Sequence, residues 1–391
     1  MGTDSYSMAS MASMASMASM ASMASMASSG GGQKSISGEA ISAASSGALI
    51  GSRDGIVGPY APPAVALAHL PFNSLDHYAF MEKGVRISAI QSAIFSELSF
   101  AYGAESLSVS DRETGGMIAS MTRPKIEEFQ LQLDYVNAYA DLRIDRAPEI
   151  LAQVGEIMSF IGQAISLHPQ RHRWTIEYLF VAVGAVIELE KRFKAAMNVR
   201  RPFELAPQIQ PMITTPAHSA FPSGHSTEAF AMAEVLASMV DHIDAVQNLS
   251  GPGSRRWLMV SQAARVAVNR TVAGVHYPVD TLAGATLGTA LGQYMVARSQ
   301  SGAAQAPLMQ MHGLSFDSPW DAASRPQSPD FNLAVFQSEA DPANQESANS
   351  RYVETGAAFT VPSCAPLAWL WSKAAEEWVV AAACDTATVT S

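Results

Sequence analysis

Cysteine is nearly missing from this chain. There are two in 391 residues, Cys364 and Cys384, both near the C-terminus. They could pair or stay free, and two are too few for a disulfide framework. Charge is sparse as well, at 15% of residues, and it leans acidic, with 35 Asp and Glu against 24 Lys and Arg and a net charge of -11. Phosphate backbones need basic surface, so no nucleic-acid partner is expected. Long hydrophobic runs are also absent. The longest, Tyr178 to Ile187, falls far short of the roughly 20 residues that span a bilayer. Glu188, Glu190, Lys191 and Arg192 follow it at once. The N-terminus lacks the basic and apolar regions of a signal peptide. A soluble protein is expected, cytoplasmic by default and without a membrane span. Finally, no convincing run of alternating strand residues is found.

What is present is apolar. At 48% hydrophobic residues the chain can bury a sizeable core, as one large domain or two. Met8 to Ser28 are seven tandem Met-Ala-Ser triplets, a low-complexity stretch with no face to bury. Residues 1–74 therefore read as a weakly ordered tail. From Leu75 a helical period sets in, and residues 75–300 read as a helical catalytic domain. Ile150, Val154, Ile157, Ile161 and Ile165 step by three and four, predicting one stripe on one helix, with Pro148 in its first turn. Arg173 to Met197 predicts a central buried helix. Further helices are predicted from Ser226 to Val240, Trp257 to Val268 and Pro278 to Ala297. On the last, Gly284, Gly288 and Gly292 form a small-residue stripe that permits close helix contact. Residues 301–391 turn polar, proline-containing and loop-like, then close with an apolar segment carrying Trp369, Trp371 and Trp378, read as a final helix docked on the body. The expected fold class is all-α, a helical bundle.

Three clusters carry the chemistry. Lys194 is followed after six residues by Arg201-Pro202. Seven residues is almost two helical turns, so a continuous helix would put both cations on one face. Pro222-Ser223-Gly224-His225 precedes a helix. Gly224 lets backbone approach an anion, the first-turn N–H groups favour negative charge, and Ser223 can donate its hydroxyl or cap the helix. Arg270, His276 and Asp280 form the third. Pro278 suits a first helical turn, which puts Asp280 within reach of the His276 ring and leaves the other ring nitrogen free. Each cluster alone also has a plain structural explanation: a solvated basic helix end, an ordinary cap, a buried His–Asp pair. Together, three cations, two histidines, a carboxylate and a glycine turn suit a tetrahedral oxyanion such as phosphate.

In this order and spacing the clusters resemble the superfamily of type 2 phosphatidic acid phosphatases and vanadium-dependent haloperoxidases, over roughly Phe193 to Val296. The resemblance implies that Lys194, Arg201, Arg270, Ser223 and Gly224 bind phosphate or vanadate. It implies that His225 is the acid–base, and that His276 attacks phosphorus or ligates vanadium, oriented by Asp280. Asn269 stands where the family usually has Ser and could line the pocket. His276-Tyr277-Pro278 and Ala283-Gly284-Ala285 resemble the phosphatase branch. His218, five residues before Ser223, matches a histidine of algal bromoperoxidases. The expected function is a phosphoric monoester hydrolase working through a phosphohistidine, with a small phosphate ester as partner and no cofactor. The alternative is a haloperoxidase, with vanadate as cofactor and halide and peroxide as substrates. A non-catalytic anion-binding protein of the same fold is a third reading. Homo-oligomerisation is left open.

Overall fold

The structure, a computed structural model, describes residues 50–53, 55–58, 61, 64, 67–302, 307–318, 330–344 and 352–388, with side chains through residue 379. The Met-Ala-Ser repeat and the Cys384 side chain lie outside these. Chain order is α1 (His77–Phe80), α2 (Lys83–Ser96), β1 (Leu98–Tyr102), β2 (Ser106–Asp111), β3 (Met117–Thr122), α3 (Ile126–Tyr139), α4 (Arg143–Ala152), α5 (Ile157–Gly162), α6 (Arg173–Met197), α7 (Pro202–Leu205), α8 (Gly224–Val246), α9 (Arg255–Val272), α10 (Pro278–Gln300), β4 (Met309–Phe316), α11 (Leu333–Glu339), β5 (Val353–Val361) and α12 (Ala365–Thr388).

The bundle is mostly helical, but all-α is corrected. One sheet, ordered β1-β2-β3-β4-β5, packs against α10. Its pairs are antiparallel except β3 with β4, where Ala119 faces Leu314. The reason it escapes pattern reading is compositional. β2 alternates correctly, Leu107 and Val109 buried and serines outward, but only over six residues. The other strands are rich in Ser, Ala, Met and Gly, which hold little β preference of their own. Non-local pairing stabilises them instead. Among the described residues, no helix is long and apolar enough to cross a membrane.

The central helix is as expected. α6 buries Tyr178, Leu179, Val183, Val186 and Phe193 on a core shared with α2, α8, α10 and α12. Its C-terminal end is set by Asn198, left-handed at φ 48°, which a short polar side chain tolerates. The Ile150–Ile165 stripe is corrected. It is split between α4, α5 and a 3₁₀ turn, and Pro148 sits inside α4 rather than in its first turn. Ile150, Ile157, Ile161 and Ile165 are nonetheless buried. The last helix docks through its tryptophans. Trp378 stacks on His172 at 4.1 Å, and Trp371 meets Tyr178 edge-on at 5.2 Å.

One contact positions the site. A Cβ on Gly288 would stand 2.2 Å from the Thr227 carbonyl oxygen, one on Gly284 2.5 Å from that of Ser223, and one on Gly292 3.1 Å from that of Ala231. Both series climb in the same direction, so α8 and α10 run parallel, in register and almost backbone to backbone. Their N-termini therefore lie side by side. Ser223 N–H donates to the Asp280 carbonyl at 2.9 Å, and Ser226 Oγ to that of Thr281 at 2.7 Å.

Candidate active site

Four helix ends meet at one cavity of about 120 Å³. The N-termini of α8 and α10 bring His225 and His276, and the last turns of α6 and α9 bring Lys194 and Arg270. All four line the cavity together with Arg201, His218 and Gly224.

His276 is held at both ring nitrogens. Its Nδ1 lies 3.0 Å from Asp280 Oδ2, and its Nε2 lies 3.0 Å from Arg201 Nη1. An arginine can only donate, so Nε2 carries the lone pair and Nδ1 the proton. Asp280 is completely buried and also accepts the Tyr277 N–H at 3.0 Å. Burial raises its carboxyl to about 7, against the Tyr277 N–H, Arg201 and Lys194, which favour the anion. The imidazole moves the other way: burial first, then Arg201 and Lys194, push His276 well below its ordinary value. A neutral ring with a fixed tautomer results.

Arg201 reaches this place without the helix expected for it. α6 ends at Met197, so Lys194 and Arg201 do not share a continuous helical face; Arg201 is the extended residue before α7. Its guanidinium is 2% exposed and fully engaged, donating to the Val275, His218 and Ser219 carbonyls besides the two histidine rings. Burial pulls it down to about 10. His218 Nδ1 sits 3.2 Å from Arg201 Nη2 at the cavity mouth. Partial burial, Lys194 and Arg201 lower that histidine to about 4.

Arg270 is arranged differently. Its Nη2 donates to the Ile150 carbonyl and to Gln153 Oε1, at 3.2 and 3.3 Å, while Nε and Nη1 are buried with no hydrogen-bond partner. Ser223 Oγ and His225 Nε2 are also buried and unpartnered. Ser223 precedes α8 but its hydroxyl does not cap it. Burial and then Arg270 drive His225 well below its ordinary value, while the Gln153 and Val154 carbonyls oppose this. Buried polar groups without partners are rare and costly. Arg270 and His225 line the cavity and Ser223 adjoins its Gly224 wall, an arrangement that a small polar ligand would satisfy.

Asn269 is corrected as a pocket residue. Its amide donates to Glu149 and Gln153 at 2.9 Å each and accepts from Arg146, and it does not line the cavity. It orders Gln153, which in turn holds Arg270. Two lining residues, Glu190 and Glu228, escape sequence reading, as does Gln153, which accepts from Arg270. Burial raises the Glu228 carboxyl to about 7, against Lys194 and Lys191. The i, i+4 spacing of Glu190 to Lys194 is the one signal the sequence holds for it, and it carries no sign that both are buried. The remaining histidines show no metal-ligand spacing, and among the described residues no group of three or more His, Cys, Asp or Glu could hold a metal ion. Cys364 is a free, buried thiol.

Residues 175–301 match the PAP2 superfamily. Two curated relatives are decaprenylphosphoryl-5-phosphoribose phosphatases from two strains of Mycobacterium tuberculosis. Each is 30% identical to this chain over 136 residues, which is 35% of this chain and 66% of the relative. The chain thus spans just under two thirds of those proteins. Among solved structures, a bacterial vanadium-dependent iodoperoxidase is 17% identical, with 60% of this chain and 51% of that one covered, at a TM-score of 0.27. The segment that matches the PAP2 superfamily encloses all three clusters gathered on this cavity, and the chain fits the superfamily of type 2 phosphatidic acid phosphatases and vanadium haloperoxidases.

Proposed function

We propose that the cavity hydrolyses phosphoric monoesters through a phosphohistidine at His276. The observation that carries this reading is the set of unpartnered buried groups, Ser223 Oγ, Arg270 Nε and Nη1, beside a neutral His276 whose Nε2 lone pair faces the same space. The substrate phosphoryl oxygens take up those donors and the Arg201 fork. Arg201 Nη1 then shifts its hydrogen bond from Nε2 to an oxygen, freeing the lone pair. Nε2 forms a bond to phosphorus as the ester P–O bond breaks, and its electron pair leaves with the oxygen. His225 gives that oxygen a proton. Positive charge appearing on the imidazole is met by Asp280. In the second half, His225 takes a proton from water, the hydroxide oxygen bonds to phosphorus, and the N–P electron pair returns to His276. The cations neutralise the transferring group throughout, which is the larger part of catalysis in such a site.

His225 must be protonated at the start, yet burial and Arg270 depress it in the free protein. A bound phosphate supplies the missing negative charge and restores the proton.

A second reading has one observation in its favour: His218, held by Arg201 at the cavity mouth. Vanadate matches phosphate in shape and charge, so the same unpartnered donors fit it. Arg201, Arg270, Ser223 and the Gly224 backbone would hold it, with the Lys194 charge behind them, and His276 Nε2 would ligate it. Bound vanadate supplies peroxide activation for halide oxidation. A paired assay separates the two. Phosphate release from a generic ester, inhibited by vanadate and with weak bromide or iodide oxidation, is expected. Robust vanadate-dependent halogenation of a phenol, reduced by His218→Ala, would replace the first reading with the second.

A further inference from the structure

Glu190 is an acid inside a site built for anions, and neither the hydrolytic steps nor the oxyanion cradle uses it. It lies on α6, one turn before Lys194, with its side chain about as buried as that of Lys194, at 5% and 3% exposure. Its Oε1 is 3.1 Å from Lys194 Nζ, close enough for an ion pair but not aligned as a hydrogen bond. The same Oε1 stands 2.9 Å from where a Cβ would be on Gly224. A side chain at 224 would expel the carboxylate, so the glycine that opens the oxyanion turn also makes room for Glu190.

The lysine is correspondingly committed. Its Nζ donates to the Pro222 carbonyl at 2.6 Å and to that of Ser219 at 3.1 Å, with the Ala220 carbonyl at 3.5 Å. An ammonium has three N–H groups. Three carbonyls and a carboxylate around it leave none to spare; burial and then Arg201 pull the ammonium well below its ordinary value, but three carbonyl acceptors hold the protonated form in place, because a neutral amine offers only two N–H. Lys194 thus ties down the 219–222 segment that leads into the oxyanion turn. Its charge is met in place by Glu190.

We infer that Glu190 is a built-in counter-charge that sets which charge state of a tetrahedral oxyanion the cavity prefers. The inference rests on the reading of this cavity as an oxyanion site. Lys191, Lys194, Arg201 and Arg270 are four cations; Glu190, Glu228 and Asp280 are three carboxylates, all ionised at pH 8. One net positive charge remains, suited to a monoanion. The histidines His218, His225 and His276 share the cavity and are lowered by burial and these cations. With Glu190 replaced by a neutral isostere the site holds one more positive charge and grips dianions harder. The chemical use is release. A phosphatase must let inorganic phosphate go after each turnover, and an internal carboxylate loosens it.

The test uses charge rather than shape. Coulomb energy is linear in ligand charge, so removing one negative charge multiplies monoanion affinity by some factor and dianion affinity by the square of that factor. Titration calorimetry compares the wild-type protein with Glu190→Gln, using phosphate at pH 8 as the dianion and perrhenate as the monoanion. The expected gain is on the order of 10-fold for perrhenate and about 100-fold for phosphate. Equal factors for both ions, no change, or a loss would overturn the inference and leave Glu190 a packing residue. If the wild type binds neither ion, the oxyanion reading fails and this falls with it. Should the glutamine variant not fold, Glu190→Ala gives the same ratio of factors, which packing defects do not square.

Discussion

Gly288→Ala should damage both stability and activity, although it replaces a helical glycine by the best helix former. In an open helix that change stabilises by about 1 kcal/mol. At Gly288 the new methyl would sit 2.2 Å from Thr227 O, 2.9 Å from Thr227 C and 3.0 Å from Thr227 Cα. The nearest contact is about 1 Å short of van der Waals separation. All three atoms are backbone in α8, so no rotamer relieves them, and α8 and α10 must part. Overpacking of this kind costs about 1–3 kcal/mol, more than the propensity gain. The same displacement separates His225 on α8 from His276 and Asp280 at the start of α10. A misplacement of about 1 Å can cost on the order of 100-fold in rate. Urea unfolding should show a lower midpoint with unchanged slope, and ester turnover should fall by one to two orders of magnitude. An unchanged or raised midpoint together with wild-type turnover would refute the parallel, backbone-to-backbone packing.

Three further outcomes are expected. His225→Ala should lower turnover ~10²–10⁴-fold on esters with poor leaving groups and much less on esters whose leaving group needs no proton; equal losses on both would remove the acid–base role. Arg201→Ala removes the donor to His276 Nε2 and to the incoming oxyanion, and hydrogen bonds to charged groups contribute about 1.5–3 kcal/mol, so phosphate and vanadate inhibition should weaken by roughly 10- to 100-fold in parallel. Unchanged inhibition constants would put the cradle elsewhere. Asp280→Asn tests linkage: the folded carboxyl is raised to about 7 from an ordinary 3.8, so below about 4 it has no effect, and between about 4 and 7 the unfolded state ionises first and stability falls. That fall should be shallower in the asparagine variant, read as unfolding free energy at pH 5 and pH 8. Identical slopes in both proteins would count against a raised Asp280.

The core helices were legible because their signal is local. The apolar run of α6, the Gly284–Gly288–Gly292 stripe and the placement of Pro278 need only near neighbours in sequence. Pro148 shows the limit: its position predicts a helix start, but α4 already begins at Arg143 and ends at Ala152. The sheet was not legible at all, because β4 and β5 gain their partners from residues far away in sequence, β3 among them.

Sequence by itself determined the chemical inventory of this protein: three cations, two histidines and Asp280 at spacings that name a superfamily, because spacing is preserved along a chain whatever it folds into. It also determined the His276–Asp280 pairing, four residues apart across one helix start. Only the tertiary structure decided which cations are free. Arg201 and Lys194 are saturated by carbonyls of the 218–222 and 275 segments, whereas Arg270 keeps two N–H groups unpartnered. It alone seated Glu190 beneath Gly224 and turned Asn269 away from the cavity. The reason is physical: hydrogen-bond saturation and burial depend on atoms brought close by packing, and no spacing rule along one chain contains them.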